Sequence, residues 1–379
     1  GTIQFGVYRL CSEKMGYPKC KPIATNQLYA GMRCLIKRSE TILPGIISLL
    51  FISAMYTKIT IKEPALGMVY HVGILRVYNY LLRWFPEGKF GEEMDKMQAL
   101  FPRTNVGGVS LSRMIIGTNW ILGYSHTSLA ADKLIRHRNS SPQVIADMLE
   151  VFLEAGVDTI LGPFVDNPHL VEAVRIAEDR TGKGMIIIDT PIINVDDNAE
   201  ARREAERVIS NSRKLGAALC LPHHTSVEQL VNKNKKTIER LPDYLKMIRD
   251  QGMIPGLSCH MPELVIYSDL NEYDVETYIQ IYNCMGFLMQ IEIEYAHKII
   301  WDAKKPVITI KPMAAGRLSP FVGLTFVWHT IRPCDMVTVG CLTPDEAAED
   351  IEISLAALQG RKPELEGRSS PKKTEIMKD

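Results

Sequence analysis

From residue 98 onward the chain alternates between short apolar, β-branched runs and longer segments with a helical apolar period. The runs are 113–117, 156–162, 184–189, 216–221, 254–259, 278–282, 307–310 and 336–340. Most begin after a glycine or end at one, and all are short enough to be strands buried on both faces. The segments between them carry helix start signals. Ser141-Pro142, Asn167-Pro168, Ser319-Pro320 and Thr343-Pro344 each place a capping residue before a proline at the first helical position. Asp197 or Asn198 precedes a further helix rich in Ala, Glu and Arg. Val144, Ile145, Met148, Leu149, Phe152 and Leu153 give the 142–155 segment one apolar face. Eight strands alternating with helices over this span predict an α/β fold, a closed (β/α)8 TIM barrel over residues 94–359. The fifth run, with Pro255 and Gly256, is the poorest strand.

Residues 1–93 show no sustained period. They hold 12 Lys or Arg against 6 Asp or Glu, whereas residues 94–379 hold 32 against 38, so the zero net charge conceals two unlike parts. The expectation is an N-terminal extension outside the functional unit, with Met94 or Met97 as the natural start. Its apolar stretches, 41–56 and 66–85, are cut by Pro44-Gly45 and by His71, Arg76, Asn79 and Arg83, so neither reads as a membrane span. Residues 360–379 are polar, without an apolar period, and are expected to be disordered. A balanced charge gives no reason to expect nucleic acid as a partner. The eight cysteines lack a CxxC pair, which points to a reducing, cytoplasmic setting with Cys220, Cys259 and Cys284 as packed thiols.

In a barrel of this kind chemistry is expected at the C-terminal strand ends. Asn119, His126, Asp166, Asp189, His223, His224, His260, Asn283 and Lys311 stand there. A strand-end lysine needs a counter-ion or an anionic ligand, and Asp189 could be that counter-ion. Asp189, His223 and His260 also form an N, N, O set of the kind that holds Zn, Mn or Fe, with His126 or His224 as a fourth ligand. That set suits hydrolysis or lyase chemistry, with Lys311 and Arg317 holding an anionic group.

KPMAAGRLSP at 311–320 and VTVGCLTPDEAAEDIEISLAAL at 337–358, together with SRMIIGTNWILG at 112–123, resemble the aldo-keto reductases over residues 98–358. The resemblance implies an NADP(H)-dependent oxidoreductase fold. By it Ala315, Gly316, Arg317 and Leu318 would approach the pyrophosphate, and Thr343, Asp345 and Glu346 would lie near the adenosine. The family's Asp, Tyr and Lys positions fall on Leu161, Asp166, and Asp189 or Thr190 here, and only its His is kept, as His223. The implied function is a divergent reductase-like barrel acting on a small anionic or carbonyl-containing metabolite, with His223, Asp189, Lys311 and His260 as candidate catalytic residues. A metal-dependent hydrolase or lyase and a non-catalytic ligand-binding barrel are the alternatives. The sequence sets neither the substrate nor the oligomeric state.

Overall fold

The structure, a computed structural model, describes residues 100–365. The 1–93 extension and most of the 360–379 tail lie outside the described residues.

Parallel strands form a nearly closed barrel of eight positions, the fifth of them in two pieces: β1 (Met114–Gly117), β2 (Thr159–Gly162), β3 (Ile186–Asp189), β4 (Leu219–Cys220), β5 (Ile254–Pro255 and Leu257–Ser258), β6 (Tyr278–Ile281), β7 (Val307–Ile310) and β8 (Met336–Val339). Each pairs with its neighbours in chain order, and β8 returns to β1 with Val337 opposite Met114. Closure runs through the broken strand. In β5, Ile254–Pro255 pairs with β4, and Leu257–Ser258 pairs with β6. Gly256 is the pivot between the two pairings, donating its N–H to the Cys220 carbonyl at 3.3 Å.

The helices that cover the barrel, one after each strand, are α1 (Pro142–Glu154), α2 (Pro168–Thr181), α3 (Ala199–Lys214), α4 (Leu241–Asp250), α5 (Glu263–Leu270), α6 (Ile293–Asp302), α7 (Pro320–Thr330) and α8 (Pro344–Gln359), and a further helix, Leu129–Arg138, stands between the first strand and α1. The starts predicted by Ser141 and Thr343 are observed as side-chain caps that accept from the amides of Val144 and Glu346. Asn198 rather than Asp197 caps α3.

Strand alternation divides the core in two. Ile115, Ile188, Leu219, Leu221, Ile254, Ile279, Ile308 and Met336 fill the barrel, while Met114, Ile116, Ile187, Cys220, Leu257, Val307 and Val337 pack against the helices. The floor of the barrel is an antiparallel hairpin, 103–106 with 109–112, which supplies Val106 and Leu111 to the inner cluster. Its two-residue turn, Gly107-Gly108, has both φ angles positive, +56° and +90°, as such a turn requires. Buried Cys220 and Cys259 are packed thiols, as expected, whereas Cys284 is only half-buried. The start of the tail is tied back: Arg361 pairs with Glu352 on α8, and the Glu364 amide donates to the same carboxylate at 2.6 Å. No described helix is long and apolar enough to cross a membrane.

The pivot at Gly256 yields a stability prediction. A Cβ there would lie 2.8 Å from both Leu221 Cγ and the Thr277 carbonyl oxygen. Because one obstacle is backbone, relief requires the strand to shift, and Gly256→Ala is expected to cost about 1–3 kcal/mol. Urea unfolding checks this, and an unchanged midpoint would contradict so tight a crossing.

Candidate functional site

A cavity of about 1020 Å³ opens at the C-terminal ends of the strands. It is lined by Lys311, His126, His223, His224 and His260, by Ala315, Gly316, Leu318, Gly340 and Cys341 of the seventh and eighth loops, and by Glu346, Glu349 and Asp350.

Lys311 follows Ile310, whose side chain also faces the cavity, so simple alternation would turn the lysine outward. A left-handed backbone at Lys311, with φ +63°, aims it inward instead. Ala314 and Ala315 also have positive φ, +49° and +56°. Three such non-glycine residues within five positions hold backbone strain where a ligand could make use of it. Among the described residues no carboxylate reaches Lys311, and burial lowers its pKa to about 8.

His126, His223 and His260 are neutral at physiological pH. Burial first, then His224 and Lys311, bring His260 to about 3; burial, His224 and Lys311 bring His223 to about 4, with Glu228 opposing. Burial and Lys311 also lower His126, whose Nδ1 lies 2.8 Å from the Tyr124 carbonyl. The rings of His224 and His260 stack at 3.6 Å, and His223 lies 4.2 Å from His224. Glu228 anchors the group from behind. It accepts from the amides of His260 and Met261 at 2.7 Å and faces His224 Nδ1 at 3.6 Å. Burial opposes its ionisation, but these bonds hold its pKa below the ordinary value.

Asp189 is not part of this group, which corrects two expectations. It follows Ile188, which faces the barrel interior, so its carboxylate turns outward toward α3. There it is completely buried, accepting from Ser212 Oγ at 2.6 Å and the Phe164 amide at 2.8 Å. Burial raises its pKa to about 6 against those bonds. It is neither the counter-ion of Lys311 nor a metal ligand beside His223 and His260. Among the described residues no three His, Cys, Asp or Glu side chains are placed to hold a metal ion.

The other predicted residues divide between cavity and scaffold. Asn119 and Leu161 line the cavity, and Asp166 lies exposed at its rim. Asn283 is a buried turn residue, its Oδ1 accepting from the Met285 and Phe287 amides at 3.2 and 2.9 Å. Ala315, Gly316 and Leu318 reach the cavity wall. Arg317 instead lies over the Phe287 ring at 4.2 Å and donates to the Ala314 carbonyl. The amides of Ala314, Gly316, Arg317 and Leu318 are bonded within the loop. Thr343 serves as the α8 cap, and Glu346 accepts from the Leu342 amide at 2.7 Å.

Sequence reasoning missed Trp120, Thr338 and Asp350 as cavity residues. Asp350 had a signal: it is an acid in the buried stripe of α8, between Ala347, Ile351 and Ser354.

No protein-family model matches the chain, and no curated protein matches it. Among solved structures it is similar to a Pseudomonas aeruginosa protein assigned to the aldo-keto reductases (16% identity, 69% of this chain and 98% of that one, TM-score 0.49). It is also similar to a Klebsiella pneumoniae aldo-keto reductase in complex with NADPH (14%, 69% and 90%, TM-score 0.43). The orotidine 5′-monophosphate decarboxylase of Methanocaldococcus jannaschii is similar too (14%, 64% and 97%, TM-score 0.39). Likenesses at this level concern the course of the chain, and the chemistry has to come from the residues.

Proposed function

We propose that this chain is a reductase-like barrel enzyme whose mouth takes a small metabolite bearing both a carbonyl and an anionic group. The observation that carries the reading is Lys311, a buried ammonium in the cavity with three neutral histidines around it and no carboxylate beside it. A buried charge left unpaired is costly, and an anionic or carbonyl oxygen bound there removes the cost.

The residues support polarisation and protonation of that oxygen. Lys311, protonated at neutral pH yet more acidic than an exposed lysine, donates to an oxygen on which charge develops. His223 Nδ1 lies 2.8 Å from Thr225 Oγ1 and 3.4 Å from the Thr225 amide; in the tautomer in which Nδ1 accepts from both, Nε2 carries the proton and is a second donor. Glu228 and the His224–His260 stack fix the positions of the other rings. The 2′-phosphate of NADP(H) does not fit the eighth unit. Glu346, Glu349 and Asp350 stand there, and Arg317 is engaged with Phe287.

Binding tests the reading before any turnover assay. Short 2-oxo acids, such as pyruvate and 2-oxopentanoate, are expected to raise the melting temperature in a dose-dependent way, and more than the matching alcohols lacking a carboxylate. No shift with any of them at saturating concentration would remove the reading. NADPH tested alongside checks the misfit of the 2′-phosphate.

A further inference from the structure

We propose that the wall formed by Asp350, Glu346 and Glu349 binds a primary ammonium or guanidinium group, so that the cavity selects a small carbonyl compound with a cationic tail. The head-group half of this statement rests on the reading of Lys311 above; the tail site stands on its own observations.

Asp350 is 2% exposed, lines the cavity, and has an Oδ1 with no hydrogen-bond partner. A buried carboxylate oxygen without a partner is uncommon in a folded interior, where such groups are nearly always bonded. Burial first, and then Glu346 and Glu349, raise the pKa of Asp350 to about 8, so the charged groups acting on it are all acids. No cation of the described chain reaches it. The one nearby arginine of the seventh loop, Arg317, is stacked on Phe287. An apolar residue at this position of α8 would pack without penalty, whereas the carboxylate is costly until a cation reaches it.

The remaining wall suits an organic cation. Trp120 lies across the two glycines of the seventh and eighth loops: a Cβ on Gly340 would fall 3.4 Å from its ring, and one on Gly316 3.8 Å. An indole beside carboxylates accepts an alkylammonium or a guanidinium through its face as well as through hydrogen bonds. Lys311 and Asp350 do not compensate each other, since no acid acts on Lys311 and no cation acts on Asp350. A ligand with opposite charges at its ends would satisfy both.

Calorimetry on the full chain with 5-guanidino-2-oxopentanoate and 2-oxopentanoate tests this, because the two differ only in the tail. The guanidino compound is expected to bind at least about tenfold more tightly, the worth of one buried charge-assisted hydrogen bond. Asp350→Asn, which keeps the shape, is expected to reduce that ratio to near one, with Glu349→Gln reducing it in part. Equal affinities in the unchanged protein, or a ratio untouched by both substitutions, would overturn the proposal. Butylguanidinium alone separates it from the head-group reading. Its binding, lost in Asp350→Asn, supports the tail site even if neither 2-oxo acid binds. Its failure to bind, or adenosine binding in its place and being lost in the same variant, rejects the tail site.

Discussion

Replacing Lys311 by Met is expected to make the fold more stable at neutral pH and to abolish ligand binding at the same time. The burial that brings the lysine from its ordinary value of 10.5 to about 8 disfavours its charged form in the folded state. The folded pKa lies below the unfolded one, so between about pH 8 and 10.5 the unfolded chain binds more protons and stability rises with pH. Below that window both states are protonated and the burial cost is present in full, on the order of 3 kcal/mol. Met keeps the length and apolar stem and carries no charge. Lys311→Met should therefore gain up to that amount at pH 7, with the gain shrinking as pH rises through the window. Urea titrations at pH 7 and pH 10 read this directly. A variant no more stable than the parent, with the same pH profile, would mean that Lys311 has a counter-ion. Loss of the 2-oxo acid response in the same variant ties the destabilised group to the function, which is the pattern expected where a site is kept at a cost in stability.

Much of the barrel is legible in the chain because each strand is a β-branched run and each helix opens with a cap. The unit at 307–330 shows this: Val307 to Ile310 is a strand, and Ser319-Pro320 opens the helix that covers it. The floor hairpin escapes because its strands, RTNV and VSLS, are half polar, although Gly107-Gly108 marks the turn. β4 contracts to Leu219–Cys220 and β5 divides at Gly256, since pairing with a neighbour, not propensity, decides where a strand ends.

The site follows the same logic, with one exception. Asp189 was readable as outward by alternation from Ile188, had the inner face been known. Lys311 obeys no such rule, because its entry into the cavity depends on a left-handed φ that no residue type at 311 announces. His223 and His260 reach the cavity simply by standing just beyond strands. Their neutrality is not legible, because it comes from burial and from each other across separate loops.

The largest loss of stability is expected far from the cavity, from Asp335→Ala at the N-terminal face of the barrel. Asp335 is completely buried and joins three elements. It accepts from the Val307 amide at the start of β7 at 2.8 Å, and from the Arg332 amide and Nε at 2.9 Å each. Arg332 Nη2 reaches its other oxygen at 2.7 Å. Arg113, entering β1, donates to its backbone carbonyl and lies over the Trp328 ring of α7. Alanine deletes one charge and leaves the opposite one. The Arg332 guanidinium would remain mostly buried, with only carbonyl oxygens such as that of Lys305 for company, and the Val307 and Arg332 amides would have no acceptor. Breaking a buried pair from one side costs about 3–5 kcal/mol, more than the pair contributes when whole, because the orphaned charge stays in place. Asp335→Asn retains one acceptor oxygen and should fall between the parent and alanine in urea midpoint. Removing both partners, as Asp335→Ala with Arg332→Met, is expected to recover part of the loss. If the double variant were as unstable as the sum of the two single ones, the charges would be acting independently and the staple at β7 and β8 would have to be sought elsewhere.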